Sequence, residues 1–242
     1  MTVSVKNNLD QTTSGFDQHG RIGLMREFGR ALVQLVLLLV SAGTLYWVNA
    51  WIYTGLILIF TLINTIILLK MNPQLINERG KGFKPGTKPF DKSLLISIFL
   101  LLYITLIIAG LDARRYGWSD MSVMENLLGG AFLVFGFILI LWAMIANTHF
   151  EGTVRIQDDR NHKVCSSGPY GIVRHPGYAG IISGTLGTPL ILGSRWGFVP
   201  AIAAVFLIIL RTLLEDNVLQ NELSGYLEHA KRTRYRLVPF MW

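Results

Sequence analysis

The chain has 242 residues, of which 51% are hydrophobic and only 15% charged, with a formal net charge of +7. The apolar residues come in unbroken blocks without a polar stripe, which excludes an ordinary soluble domain. The basic excess is confined to particular loops, which argues for membrane topology and attraction to anionic lipid over nucleic-acid binding.

Residues 1–30 are polar and contain no apolar run of the kind that makes a cleavable leader, so a polar N-terminal cytoplasmic segment is predicted ahead of a retained anchor. Residues 31–48 and 51–69 form the first and second spans, free of charge and carrying only the amides Gln34 and Asn64. Runs of about 18–20 residues rise about 27–30 Å as helix, enough to cross a hydrocarbon core. The connection at 46–51 is short, and its Tyr46, Trp47 and Trp51 suit an interfacial aromatic belt. A polar, basic loop rich in glycine and proline follows at 70–93. Residues 94–111 and 127–146 are the third and fourth spans, also without charge, joined by a far-side loop at 112–126.

Beyond residue 146 the texture changes. A polar segment fills 147–176, and the apolar stretch 178–192 is short for a full span. Gly193, Ser194 and Arg195 interrupt it, and 196–214 is apolar apart from Arg211. The two stretches read as a helical hairpin. Residues 213–231 are amphipathic, with Leu214, Val218, Leu219, Leu223 and Tyr226 three or four apart or nearly so, as in a continuation of the last helix or an interfacial one. The basic and aromatic end, 232–242, is expected on the headgroups. Of 22 Lys and Arg residues, only Arg114, Arg115 and Arg195 fall in the alternate loops, which places both termini in the cytoplasm. The expected fold is therefore all-α: a polytopic helical membrane protein with four spans plus a C-terminal hairpin, five to six membrane segments in all. Residues 31–242 form one membrane domain.

The lone Cys165 rules out an intramolecular disulfide. His162, Cys165 and His175 are irregularly spaced, so no metal is expected, and nucleotide-binding glycine fingerprints are missing. Two other stretches carry chemistry. In "GPYGIVRHPGYAG", 168–180, Pro176 disfavours helix at His175 and suits a first helical turn. The stretch is thus a loop followed by a helix start, whose unpaired N–H groups can seat a carboxylate or phosphate. Gly180, Gly184 and Gly187 let a helix or a ligand approach, and small-residue packing between spans explains them equally well. Arg174 reads equally well as a loop cation. In "RTLLED", 211–216, Arg211 and Glu215 share a helix face. They form either a cytosolic ion pair with Arg211 snorkelling, or a polar pocket in which Arg211 receives an anionic group and Glu215 a cationic or hydroxyl group. Asp216 and Glu222 are expected in solvent.

These stretches, "HKVCSSGPYGIVRHPGYAG" (162–180), "LGTPLILGS" (186–194), "RTLLED" (211–216) and "GYLEHAKRTRYRLVP" (225–239), together resemble the C-terminal half of the isoprenylcysteine carboxyl methyltransferase family. Those are integral-membrane, S-adenosylmethionine-dependent enzymes that also resemble phospholipid N-methyltransferases. The likeness covers about residues 150–242, the expected catalytic part with a cytoplasmic cofactor site; the first four spans match only in hydropathy. It implies a methyltransferase acting on a lipophilic acceptor, an isoprenylcysteine-like carboxylate or another lipid-like molecule, at the cytoplasmic membrane face. It implies cofactor contacts from His162, Lys163, Val164, Cys165, Tyr170, His175, Pro176, Gly177, Tyr178 and Glu215. Gln157 matches an upstream cofactor-contacting Gln with the spacing altered by a couple of residues. Arg211 matches the substrate-contacting position, which makes Arg211 and Glu215 the implied catalytic pair. The implied partners are a lipid-modified or lipophilic substrate entering from the bilayer and the membrane lipids themselves, with no nucleic acid. The implied location is the inner or plasma membrane in a bacterium and the endoplasmic reticulum in a eukaryote. Gly177 stands where eukaryotic members often carry Ser, Glu215-Asp216 where they carry consecutive glutamates, and those members tend to have more spans.

Two alternatives stay open. One is a membrane NADPH-dependent ene- or sterol-type reductase, whose C-terminal cofactor site is related. No added basic cluster for an extra phosphate accompanies the loop here. The other is a non-enzymatic transporter or scaffold, which calls for polar residues scattered through the first four spans. Those hold little beyond Gln34, Asn49 and Asn64.

Overall fold

Residues 16–242 are described by a computed structural model, and they are helical without a strand. The first half of the expected N-terminal segment, 1–15, lies outside the described residues. The helices are α1 (Gln18–Ala42), α2 (Val48–Met71), α3 (Pro73–Gly80), α4 (Pro89–Ala109), α5 (Val123–Ala146), α6 (Pro176–Leu192), α7 (Phe198–Glu222) and α8 (Tyr226–Arg232). A π-helical turn, Gly110–Tyr116, extends α4. Among the described residues, four helices are long and apolar enough to cross a bilayer: α2, α4 with its extension, α5 and α7. The chain is an integral membrane protein of the all-α class.

The expected first span is shifted. α1 starts at Gln18, inside the segment read as polar, because Asp17 caps it by accepting from the Gly20 N–H. It stops at Ala42, where Gly43 adopts a φ of 70°. α1 therefore mixes an apolar second half with a charged first half bearing Arg21, Arg26, Glu27 and Arg30. The turn to α2 accordingly lies at 43–47, slightly ahead of the expected 46–51. The far-side loop shrinks to 117–122, because Ser122 and Glu125 form a capping box that starts α5 early.

The hairpin forms as expected, with Pro176 in the first turn of α6 and Gly193 ending it at a φ of 79°. α6 has 17 residues, about 26 Å of helix. Its packing against α5 is closer than side chains permit. A Cβ on Gly136 would come within 2.5 Å of the Gly180 carbonyl oxygen, and one on Gly180 within 2.7 Å of the Gly136 carbonyl oxygen. Gly129 and Gly187 repeat the arrangement at the other end of the seam. The small residues of α6 are thus accounted for by helix packing.

At the far end, the connection between α6 and α7 is tied to the extension of α4. The buried Asp112 accepts from Ser194 Oγ at 2.6 Å, Ser119 Oγ at 2.7 Å and the Trp196 N–H at 3.1 Å. A carboxylate that takes three donors fixes both elements without a cation. At the opposite, basic end lie the starts of α1, α4 and α6, the ends of α2, α5 and α7, the short helices α3 and α8, and the polar segment 147–175. The site sits there.

Candidate functional site

The polar segment is held over the basic end by charge. Glu151, its side chain only 2% exposed, takes Lys84 at 2.7 Å and Arg155 at 3.0 Å. Gln157 donates from Nε2 to the His149 carbonyl at 2.7 Å and accepts from Arg160 at 2.9 Å. Its amide is committed to folding the loop. The His149 and His162 rings lie 4.8 Å apart. Burial, reinforced by the neighbouring His149, pushes His162 down to about 4. His162 is thus neutral in the folded protein where the unfolded chain would protonate it. Between about pH 4 and pH 6.5 the unfolded state binds more protons, so stability rises with pH across that window. Replacing His162 with Gln should flatten this slope, measured as Tm against pH. An unchanged slope would show that His162 is protonated in the folded state.

The stretch 168–180 folds as the sequence suggests. Residues Gly168–Gly171 make a short 3-10 turn, and Tyr170 is buried, its hydroxyl accepting from Asn147 at 3.3 Å. Burial raises the Tyr170 hydroxyl above its usual range. Arg174 and His175 are buried rather than loop cations, and both turn toward Asp216. The expectation that Asp216 is solvated is wrong. It is 1% exposed and lies 3.0 Å from Arg174 and 2.9 Å from Arg236. It also accepts from Tyr226 at 2.9 Å and Gln220 at 2.8 Å. Glu222 is exposed as expected and pairs with Lys88. The tail does not merely rest on headgroups: the Arg174 and His175 N–H groups donate to the Tyr235 and Arg236 carbonyls at 2.9 Å each.

Arg211 and Glu215 face one another's neighbours across α6. Tyr178 donates to Glu215, and the Arg211 guanidinium lies 5.1 Å from the centre of the Tyr178 ring. Arg211 is buried and does not snorkel. Its Nε donates to Asp91 at 2.6 Å and its Nη2 to the Gly152 carbonyl at 2.8 Å. Asp91, fully buried, also accepts from the Val154 N–H at 2.8 Å, so one carboxylate joins α4, α7 and the polar segment.

These groups surround a cavity of about 390 Å³. Gln157, His162, Lys163, Val164, Cys165, Tyr170, His175, Gly177, Tyr178, Arg211 and Glu215 all line it. Pro176 does not; it starts the helix that delivers its neighbours. An adjoining chamber of about 410 Å³ runs between α1, α2, α3, α4 and α5, walled by Leu24, Phe60, Leu68 and Met144 together with Arg26, Glu27 and Glu78. The two share Arg30, Phe60, Arg79, Leu95, Phe99, Ile140, Glu151, Gly152 and Thr153. No group of three His, Cys, Asp or Glu residues able to hold a metal occurs among the described residues. The sequence reading missed Asp91, Asp216 and Arg79. Asp91 lies in a first helical turn after a proline, where an acid reads as a dipole partner, and nothing local marks its contact 120 residues away.

A bundle of apolar helices that encloses two joined chambers at its basic end defines an integral-membrane protein with room for a ligand. Comparison with known proteins gives the chemistry. The phospholipid methyltransferase family model matches residues 124–224. Protein-S-isoprenylcysteine O-methyltransferase B of Arabidopsis thaliana is 28% identical over 163 residues, covering 64% of this chain and 76% of the relative. Protein-S-isoprenylcysteine O-methyltransferase A of the same plant is 27% identical over 158 residues, with the same coverage. The resemblance read from the sequence is borne out: the chain is similar to phospholipid and isoprenylcysteine methyltransferases, and it is a membrane methyltransferase.

Proposed function

We propose that the chain moves a methyl group from S-adenosylmethionine to the carboxylate of an isoprenylcysteine-like or other lipid-like acceptor at the cytoplasmic face. The observation that carries this reading is the pair of joined chambers, one gathering the residues implied for the cofactor beside Arg211 and the other running between the membrane helices. The residues present fit the cofactor. Glu215 offers a carboxylate for a hydroxyl or ammonium group, and Tyr170, Tyr178 and His162 offer ring faces for a purine or a sulfonium. A Cβ at Gly177 would come within 2.5 Å of the Phe150 ring, so a larger residue there requires the ring to shift. When bound, S-adenosylmethionine supplies an electrophilic methyl group.

The chain's own part is positioning. A carboxylate is already ionised at neutral pH, so no base is needed. Arg211 keeps its Nη1 free of hydrogen bonds among the described residues and is oriented by Asp91, which suits it to aim an acceptor oxygen. Holding the acceptor in line and excluding water supplies the rate enhancement. For an amine acceptor, Glu215 is the candidate to take the proton. Ile96 and Phe83, on the adjoining chamber, are exposed, which supports entry of the acceptor from the bilayer.

The test uses the full chain purified in detergent, titrated with S-adenosylmethionine, S-adenosylhomocysteine and NADPH. Binding of the first two is expected; binding of NADPH alone would sink the reading in favour of a reductase. Incubation of the protein and labelled cofactor with a membrane lipid extract should give products heavier by one methyl group. Glu215→Ala should weaken cofactor binding by about tenfold or more, the loss of one charge-assisted hydrogen bond.

A further inference from the structure

Arg211 is the obvious cation for an anionic acceptor, but its charge is already answered by Asp91 at 2.6 Å. The carboxylates around α3 are also taken. Glu78 is paired with Lys81 and Lys84, Glu151 with Lys84, Arg155 and Arg160, and Glu27 with Arg30 at 3.1 Å. Arg79 is the exception among the cations that line both chambers. Among the described residues it has no carboxylate within ion-pair distance and makes no hydrogen bond. Its one specific contact is the Phe150 ring, with the guanidinium 5.9 Å from the ring centre. Arginine stays protonated in proteins, so this charge cannot be relieved by losing a proton. Half-buried on the chamber wall, with Glu27 and Glu151 nearby but beyond ion-pair distance, its five N–H donors are left available to a ligand.

The position gives the deficit a purpose. Arg79 sits in α3, at the shared wall of the two chambers, beside Gly152 and Thr153. Gly152 is also the residue whose carbonyl receives Arg211. A molecule with its apolar part in the chamber between α1, α2 and α4 brings its head to this wall. We propose that Arg79 is a specificity-determining residue that seats the anionic head group of the acceptor. Arg211, neutralised by Asp91, supplies direction, and Arg79 supplies a guanidinium without an ion-pair partner that selects an anion. This rests on the proposed reading of the two chambers, and it names the residue that rejects uncharged acceptors.

The seat is read by binding, independently of turnover. The full chain in detergent is titrated with N-acetyl-S-farnesylcysteine, its carboxamide, and farnesyl monophosphate, which share a chain and differ in head-group charge. The wild type should prefer the two charged ligands to the amide. Arg79→Gln should weaken both by at least about tenfold and leave the amide within about twofold, as expected for loss of a charge-assisted contact. Arg79→Lys should retain part of the preference, and cofactor binding should not change. The tighter of the two charged ligands identifies carboxylate or phosphate as the natural head. Equal weakening of all three ligands, no change in any, or no discrimination by the wild type overturns the proposal. A wild type that binds no S-adenosylmethionine yet shows the charge preference overturns the methyl-transfer reading and leaves the seat standing.

Discussion

Arg211→Lys lowers turnover at least about 100-fold while cofactor affinity and thermal stability stay close to wild type. This is the expected result if the guanidinium aims the acceptor, because removing one preorganised donor from a reacting group costs about 10²–10³ in rate. Lysine preserves a charge for Asp91 but cannot hold Asp91, the Gly152 carbonyl and an acceptor oxygen with one planar fork. Alanine is the blunter variant. It would strand Asp91, which is fully buried, and the loss of about 3–5 kcal/mol expected for breaking a buried pair confuses stability with chemistry. The measurement is a turnover assay on the Lys variant with a parallel thermal melt and cofactor titration. Wild-type turnover by that variant removes Arg211 from the reaction.

Asp216→Ala is the substitution with the largest expected effect on the fold of the site. Asp216 faces Arg174, Arg236 and His175 together, and Arg174 is itself buried. Removing it leaves two guanidiniums beside one another without their counter-ion, a change that costs about 3–5 kcal/mol in buried networks. The loss should appear as a lower Tm and as faster tryptic cleavage at Arg232, Arg234 and Arg236, because the tail is held by the backbone that Arg174 anchors. Asp216→Asn, which keeps acceptor oxygen but no charge, should fall between. If the alanine variant melts and digests like the wild type, the network contributes nothing measurable.

The membrane character of the chain was legible because apolar runs of span length need no partner to be recognised. α4, α5 and α7 lie close to where hydropathy puts them. The start of α1 was not legible, because its first half carries Arg21, Arg26, Glu27 and Arg30 and reads as loop until Asp17 is seen capping it. Pro176 and Gly193 marked α6 correctly, since both residues act through their own backbone. The gathering of the candidate residues around one cavity followed from the resemblance more than from pattern. What escaped was the support beneath them. Asp216 read as solvated because its partners come from residues 174, 175, 226 and 236, and no period in one helix encodes them. Arg79 read as a loop cation because its lack of a partner is a property of the folded wall alone.

The hydrogen bonds from Arg174 and His175 to Tyr235 and Arg236 set an order of assembly. A chain made from its N-terminus inserts its helices as they emerge, and early segments settle first. Asp91 waits for Arg211, and the loop at 174–175 waits for a strand of backbone some 60 residues further on. A ribosome that stopped before residue 235 would leave every helix long enough to span already in the bilayer, with the chamber unlatched beneath them. The latch on the chamber is therefore complete only once the last residues of the chain are in place.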